Sequence, residues 1–223
     1  ADIFDRLYFT GDDYPRVGIA AGMVSGSSYP SNSYRLGVPA PSGAPTTNKS
    51  GTADETATPN DVSYVYTLVT ALGEEGPPSA PSTVIELTDT ESVVVTLATS
   101  QQPSGNYLFG STAKKRIYRS NTGSTNTTFQ FVGEVAYTAT SFTDTVDAAA
   151  LGEVLPSGTW IGPPNDNASL YPDGPLQGLI PLAQGVMAGF TGKRFCLSEP
   201  FLPHAWPISY RITTEEDIVA IAS

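Results

Sequence analysis

The longest run of β-forming residues in the chain, VSYVYTLVT, spans Val62–Thr70. In an extended chain Tyr64 and Tyr66 point to one side, whereas Val65 points to the other. This period of two predicts a β-strand with apolar side chains on both faces. The sequence GEEGPPSAPS that follows, residues 73–82, predicts a turn, because glycine and proline interrupt a strand.

Short runs of the same kind recur through the middle of the chain. They alternate apolar and polar residues, and polar or Gly-rich turns separate them. Several short strands at this spacing predict a β-sandwich that ends near residue 158. The runs are STVIEL (82–87), ESVVVTLAT (91–99), KKRIYRS (114–120), FQFVGEVA (129–136) and TSFTDTV (140–146).

Strand patterns also occur towards both ends of the chain. Leu7–Phe9 predicts a strand that a Gly-Asp-Asp turn joins to a second strand. Near the other end, three strands joined by tight turns are predicted, an arrangement typical of a propeller blade or the edge of a barrel. These strands are Leu179–Leu182, Val186–Phe190 and Arg194–Ser198. The last apolar run, IVAIA, fits a helix or a strand, and the strands before it favour a strand.

The composition disfavours several classes of function. The chain has 11 Lys and Arg residues against 22 Asp and Glu residues, and this net charge of −11 disfavours binding to nucleic acid or to an anionic membrane. No apolar run approaches the roughly 20 residues of a membrane helix, so we expect no membrane partner. The single cysteine, Cys196, allows no internal disulfide, and its apolar neighbours predict a buried side chain.

The only histidine, His204, lies in the stretch SEPFLPHAWP, close in sequence to Glu199 and Ser198. A histidine in contact with an acid and a nucleophile would form a catalytic site. However, Pro200 and Pro203 hold the intervening chain extended, so the three side chains need not converge. The prolines instead predict a rigid corner whose neighbouring tryptophan covers the end of a sheet.

Adjacent acidic residues occur at Asp12-Asp13, Glu74-Glu75 and Glu215-Glu216. Neighbours on a strand point to opposite faces, so these pairs make poor catalytic dyads. We expect the second pair, in its Gly- and Pro-rich loop, to be solvated. The stretch PNDNASLYPDG (164–174) lacks the ligand spacing of a calcium loop, and one Cys and one His cannot hold zinc. The sequence therefore predicts no enzyme, no catalytic residue, no cofactor and no metal.

Four of the basic residues lie in one stretch, AKKRIYR, whose Ile117 is expected to face the core. The charges fit the outer face of a strand that meets an acidic neighbouring subunit. They fit equally well an edge strand whose charges protect it from aggregation. Both interpretations stay open.

The middle of the chain resembles a fibronectin type III module over about residues 60–145. KRIYRSNTGSTNTTFQFVGEVAYTATSFTDTV looks like the central strands of that family, and YVYTLVTALGEEGPPSAPS looks like its penultimate strand and exit. In the usual module the second block follows the first, whereas here it precedes it. The resemblance therefore implies a circularly permuted or analogous sandwich.

A wider resemblance covers most of the chain. Nine segments look, in the same order, like a family of virion structural proteins of tailed bacteriophages, in which a sandwich is inserted into a propeller-like body. Similar bodies occur in the nozzle proteins of short-tailed phages. The segments are RLYFTGDDYPR, YRLGVPAPSGAP, YVYTLVTALGEEGPPSAPS, KRIYRSNTG, FQFVGEV, SFTDTV, LGEVLPS, LQGLIPLAQGVMAGF and SEPFLPHAWPISYRI.

The patterns and the resemblance together predict an all-β chain, with an immunoglobulin- or fibronectin type III-like sandwich inserted in a β-propeller-like or barrel-like body. Residues 1–33 would form the first part of the body, and residues 34–158 the sandwich with its Pro-rich lead-in. Residues 159–223 would continue the body. The chain begins with Ala1 and stops within an apolar run, so we expect it to be part of a longer polypeptide.

The resemblance implies a structural component of a phage tail that assembles through protein–protein contacts into a ring or tube, with the tail nozzle as one candidate. Its partners would be copies of itself in a homo-oligomeric ring and other tail proteins, with DNA passing without specific binding. Its location would be the virion, after assembly in the host cytoplasm. The candidate interface residues are Tyr8, Tyr14, Phe201, His204 and Trp206.

Two other classes of function remain open from the sequence. A receptor- or carbohydrate-binding β module would stack sugars on exposed aromatic rings. The rings to consider are Tyr107, Phe109 and Trp160. A secreted hydrolase with an accessory sandwich would instead depend on His204.

Overall fold

The computed structural model describes residues 5–27, 30–98, 105–122 and 126–222. Strands make up 38% of the chain and helix 6%, so the predicted all-β class is confirmed. Residues 1–4 and 28–29 of the predicted first segment, 99–104 and 123–125 of the predicted sandwich, and Ser223 of the predicted last segment lie outside the described residues.

The chain divides into two compact units. The first consists of Ala1–Pro39, Ser104–Leu108 and Thr159–Ser223, and the second of Ala40–Pro103 and Phe109–Gly158. Residues 34–39 and 105–108 thus belong to the first unit, whereas the sequence analysis placed them in the sandwich. Backbone hydrogen bonds explain the difference, because the Arg35 N–H donates to the Asn106 carbonyl (2.7 Å) and the Leu36 N–H to the Pro15 carbonyl (2.9 Å).

The first unit contains two antiparallel sheets. One has the order β1–β2–β3, with the short helix α1 (Ala20–Met23) after its second strand. The other has the order β12–β13–β14–β15, so each strand pairs with its neighbour in the sequence. The strands are β1 (Arg6–Phe9), β2 (Arg16–Ile19), β3 (Tyr34–Arg35), β12 (Gln177–Pro181), β13 (Met187–Thr191), β14 (Arg194–Leu197) and β15 (Arg211–Thr213).

Cys196 of β14 forms a buried cluster with Leu176 and Trp206. Gly189 in β13 permits this contact, because a Cβ there would approach within 2.7–2.9 Å of the Leu176 side chain. The predicted burial of Cys196 and the three predicted strands at this end of the chain are confirmed, with bounds shifted by one or two residues.

The second unit is a β-sandwich of small antiparallel sheets. Two three-stranded sheets have the orders β10–β9–β6 and β11–β8–β4, and β5 pairs with β7. The strands are β4 (Thr46–Gly51), β5 (Asn60–Val62), β6 (Tyr64–Val69), β7 (Ile85–Leu87), β8 (Glu91–Thr96), β9 (Lys114–Thr122), β10 (Thr127–Ala136) and β11 (Ser141–Asp144). All six residues of β6 are buried, as its two apolar faces predict.

Three expectations from the sequence are wrong in this structure. The basic stretch lies on β9, which has β6 on one side and β10 on the other, so it is a central strand and not an edge. Glu74 and Glu75 are buried, not solvated. The apolar run at 218–222 forms no strand, and Val219 is almost fully exposed.

No sheet among the described residues closes into a barrel, so the barrel-like alternative for the body is wrong, whereas the propeller-like alternative stays a prediction. Over the same residues, no helix has the length and apolar character needed to cross a bilayer.

Candidate assembly surface

The loop that follows β14, residues 198–207, folds back on itself as a tight corner. The Glu199 N–H donates to the Ala205 carbonyl (2.8 Å), and the Leu202 N–H donates to the Glu199 carbonyl (3.2 Å). The indole Nε1 of Trp206 donates to the Pro203 carbonyl at 2.8 Å. These bonds satisfy backbone groups that the prolines would otherwise leave unpaired, and they fix the corner.

Ser198, Glu199 and His204, the side chains that suggested catalysis, instead make contacts within the first unit. Ser198 Oγ donates to the Glu199 carbonyl (3.0 Å) and accepts from the Met187 N–H (2.9 Å). The Glu199 carboxylate accepts a hydrogen bond from Tyr210 Oη at 3.3 Å. The His204 ring packs edge-on against Trp160, with 6.1 Å between ring centroids. The geometry therefore supports a structural corner.

Two of the five predicted interface residues are inside the first unit. His204 is 4% exposed and Trp206 is fully buried. A buried side chain cannot touch a partner while the chain keeps this fold, so these two residues are removed from the candidate interface. Tyr8, Tyr14 and Phe201 remain candidates.

Phe201 has the opposite character, since 76% of its surface is exposed. Its φ angle is 60°, in the left-handed region that bulky residues avoid. The Phe201 N–H donates to the Gly185 carbonyl (2.9 Å), and a Cβ on Gly185 would fall 2.5–3.0 Å from atoms of the phenyl ring. The hairpin tip at Gly185 thus holds an exposed aromatic side chain in a conformation that costs about 1–3 kcal/mol.

Other exposed apolar side chains occur at the same end of the four-stranded sheet. The β12–β13 hairpin and the end of β14 meet here, because the Ser198 N–H donates to the Met187 carbonyl at 2.9 Å. We call Leu182, Phe201, Ile208 and Tyr210 the sheet-end cluster, since all four are exposed and belong to these loops. Ile208, for example, is 69% exposed, although burying a side chain of this size is worth about 2 kcal/mol.

Tyr8 lies in β1 and Tyr14 lies between β1 and β2, and both are half-buried. The Tyr14 ring lies against the guanidinium groups of Arg35 (3.8 Å) and Arg16 (4.3 Å). The Arg6 guanidinium lies 5.9 Å from the centre of the Tyr8 ring. Much of the surface of both rings is therefore used within the chain, and neither belongs to the sheet-end cluster.

Arg35 binds Asp166 through two hydrogen bonds of 2.6 and 2.7 Å. These bonds hold the pKa of the Asp166 carboxyl below its usual value. Asp166 also lines an open groove of about 640 Å³ together with Asp12, Asp13 and Arg16. The described residues contain no group of three or more His, Cys, Asp or Glu side chains that could hold a metal ion.

The aromatic residues considered for sugar binding pack within their own units. Phe109 stacks on Tyr137, with ring centroids 4.4 Å apart and planes 4° from parallel. Trp160 packs on His204, and the Tyr107 ring lies 5.9 Å from the Arg35 guanidinium. All three rings are half-buried, so this geometry favours internal packing over sugar stacking.

The second unit contains two buried polar networks that the sequence analysis did not predict. Glu75 accepts hydrogen bonds from Thr67 Oγ1 (2.7 Å), Tyr118 Oη (2.7 Å) and Arg116 Nη1 (2.9 Å). Burial, together with the carboxylate of Glu75, raises the pKa of Tyr118. Because the donors come from β6 and β9, which are far apart in the sequence, no local pattern indicates this network.

The second network joins Asp144 of β11 to Tyr64 and Arg119. Tyr64 Oη and Arg119 Nη1 both donate to Asp144 Oδ2 at 2.8 Å. Arg119 Nη2 donates to the Val146 carbonyl (2.8 Å), and the Val146 N–H donates to Asp144 Oδ1 (2.9 Å). Burial and the nearby carboxylate raise the pKa of Tyr64, so the phenol remains a hydrogen-bond donor. The network thus ties β6, β9 and β11 of the sandwich together.

Neither the known protein families nor the curated proteins contain a match to this sequence.

Proposed function

We propose that this protein is a structural component of a bacteriophage tail that acts through contacts with copies of itself and with other tail proteins. The observation that carries the proposal is Phe201, an aromatic side chain that is 76% exposed and held in a left-handed backbone conformation. Strained residues cluster at functional sites, and exposed aromatic anchors are typical of protein interfaces. The order of nine segments along the chain, which resembles phage virion proteins, supports the same proposal.

The sheets also support the finer architecture that we propose. Four antiparallel strands in sequence order, as in β12–β15, are typical of a propeller blade. In the second unit, β6 lies beside β9, and β8 lies between β4 and β11. These neighbours suit a fibronectin type III-like sandwich whose penultimate strand comes early in the chain.

In a ring or tube, the sheet-end cluster of one copy would pack on a neighbour, and burial of its four apolar side chains would drive assembly. A nozzle is one form that such a ring takes. The net charge of −11 would repel DNA from the protein surface and allow it to pass without specific binding.

The proposal is tested by locating the protein in purified phage particles with mass spectrometry and antibody-labelled electron microscopy. We expect the chain in the tail at a fixed copy number per particle. A chain that occurs only outside particles, as a soluble monomer, would overturn the proposal.

The role of Phe201 is tested by the variant Phe201→Gly. Glycine adopts a φ of 60° without strain, so we expect the isolated protein to be as stable as the parent or slightly more stable. Incorporation into particles should fall, because the aromatic anchor is lost. Val219→Gly serves as the control, since it removes a highly exposed side chain outside the sheet-end cluster. Equal incorporation of the two variants would contradict the role of Phe201.

A further inference from the structure

The four-stranded sheet β12–β15 has apolar side chains on both of its faces. One face carries Cys196 and its buried cluster. On the other face, Phe195 of β14 stands opposite Phe190 of β13 and opposite Ile212 of β15, and residues that stand opposite each other share a face. We call this second face the uncharged face. Its apolar side chains are Ile180, Ala188, Phe190, Phe195, Leu197 and Ile212.

The uncharged face is only partly covered within the chain. Ala188 and Phe190 are buried, whereas Ile212 is 56% exposed. None of the residues that the four strands place on this face is charged, whereas Arg194 and Arg211 lie on the opposite face. An apolar sheet face is stabilised when another layer packs on it.

Residues 214–222, which we call the strap, lead from the turn between β13 and β14 without forming a helix or a strand. The Thr214 N–H donates to the Lys193 carbonyl at 2.8 Å, and the Ile218 N–H donates to the Gly192 carbonyl at 3.0 Å. Lys193 Nζ donates to the Glu215 carbonyl at 2.6 Å. These three bonds fix the beginning of the strap to one turn of the sheet.

The strap then reaches the uncharged face. A Cβ on Gly178 of β12 would lie 2.5 Å from the Phe190 ring and 3.5 Å from Ile221 Cγ1, so Ile221 lies beside that ring. Ile218 and Ile221 are half-buried. The strap therefore covers the Phe190 end of the face and leaves Ile212 exposed.

The second half of the strap is held weakly. In the described part of the chain, no hydrogen bond joins residues 219–222 to the sheet. Val219 is 92% exposed, and Ala220 and Ala222 are also exposed. Segments with few hydrogen bonds and little buried apolar surface open at a low cost in free energy. The contact of Ile221 with Phe190 is thus easily released.

We propose that the strap is an autoinhibitory cover, and that a second copy of this chain packs on the uncharged face once the strap is displaced. The two faces then pack as sheet on sheet, about 10 Å apart, in an isologous contact. A second copy fits because its uncharged face brings no unpaired charge into the interface, where such a charge would be costly.

This inference rests on the proposed function, because it adds regulation to the same assembly surface. The Leu182 N–H donates to the Val186 carbonyl at 2.8 Å and continues the register in which Ile180 stands opposite Ala188. Leu182 of the sheet-end cluster therefore lies on the uncharged face, and the two surfaces are continuous.

The beginning of the strap also opposes premature association. Glu215, Glu216 and Asp217 are consecutive and exposed. Two copies whose straps are in place bring these like charges towards each other, which disfavours the contact. Both straps must open in an isologous pair. A strap that is closed nine-tenths of the time lowers the apparent affinity about tenfold for each chain, and so about a hundredfold for the pair.

A release variant tests the cover. Ile218→Ser/Ile221→Ser removes both half-buried side chains of the strap without changing its charge, and sedimentation equilibrium measures self-association of the purified full chain. We expect the dissociation constant to fall at least about tenfold relative to the parent. The control Val219→Ser/Ala222→Ser changes two exposed residues of the same run and should stay within about twofold of the parent.

A blocking variant tests the face beneath the strap. Adding Ile212→Asp to the release variant puts a charge on the uncharged face, so the gain in association should be lost. Thr213→Asp serves as its control, because Thr213 is exposed and lies on the opposite face of β15. This control should keep the dissociation constant of the release variant to within about threefold.

Hydrogen–deuterium exchange locates the contact. In the associated release variant, exchange should slow at β14 and β15, and residues 218–222 should exchange faster than in the parent. If the double change impairs folding, Ile221→Ser alone should shift both measurements in the same direction by a smaller amount.

Three results would overturn the inference. One is a release variant that associates no more tightly than its control, and another is association that survives Ile212→Asp. The third is a release variant that binds a different tail protein and not itself, which would exclude a second copy as the occupant. These measurements use purified protein without phage particles, so their failure is distinct from failure to find the chain in the tail.

Discussion

Asp144 offers the sharpest test of how the second unit is held together. Its side chain is 0% exposed and that of Arg119 is 4% exposed, with 2.8 Å between Oδ2 and Nη1. The change Asp144→Ala leaves a buried guanidinium without its carboxylate, which costs about 3–5 kcal/mol. It also removes the acceptor of the Tyr64 hydroxyl, at about 1 kcal/mol. We therefore expect a loss of about 4–6 kcal/mol, a large part of the 5–15 kcal/mol that is typical of a folded domain.

Urea denaturation measures this loss. Both tryptophans, at positions 160 and 206, belong to the first unit, so tryptophan fluorescence follows that unit alone. Far-UV circular dichroism reports the strands of both units. The destabilisation by Asp144→Ala should appear in the circular dichroism transition at lower urea concentration than in the parent.

Two further variants make the reasoning refutable. Lys114 and Glu134 form an exposed ion pair in the sheet that contains Arg119, so Lys114→Ala should cost at most about 1 kcal/mol. The double variant Asp144→Leu/Arg119→Met removes both charges, so it should be less destabilised than Asp144→Ala alone. A loss below about 1 kcal/mol for Asp144→Ala, or a double variant that is the less stable of the two, would refute the argument.

Two other predictions concern the first unit. Arg35 lowers the pKa of Asp166 from its usual 3.8, so the pair adds stability above that pH and loses it as the pH falls through the lowered pKa. In urea denaturation, Asp166→Asn should therefore be less stable than the parent at neutral pH, and this difference should shrink in acid. An unchanged difference across that range, or the same behaviour in the groove control Asp13→Asn, would contradict the assignment. Burial raises the pKa of the Cys196 thiol, so a chromogenic disulfide reagent should label it only in urea. Rapid labelling of the folded protein would show that the thiol is accessible.

The sequence predicts best those features that depend on local patterns. The strand Tyr64–Val69 follows from its alternating β-forming residues, and the strands after Leu176 follow from apolar runs separated by Gly-containing turns. Burial of Cys196 follows from its apolar neighbours. In each case the deciding residues lie within a few positions of one another.

Features that depend on distant residues were predicted wrongly or not at all. Glu75 seemed solvated because its loop is rich in Gly and Pro, but donors from β6 and β9 surround it in the fold. The charges on β9 suggested an edge, yet Arg116 and Arg119 have acidic partners more than 20 residues away. Ile208 and Tyr210 carry no periodic signal, because they belong to a single short turn of helix.

The short segment at residues 105–108 limits how the chain can be divided. Asn106 accepts a hydrogen bond from the Arg35 N–H (2.7 Å), and its Nδ2 donates to the Ser33 carbonyl (2.6 Å). Excising residues 40–158 in one piece would therefore remove a part of the first unit along with the second. The sandwich therefore cannot be deleted as one continuous segment. A shortened chain would need residues 105–108 inserted between its two remaining ends.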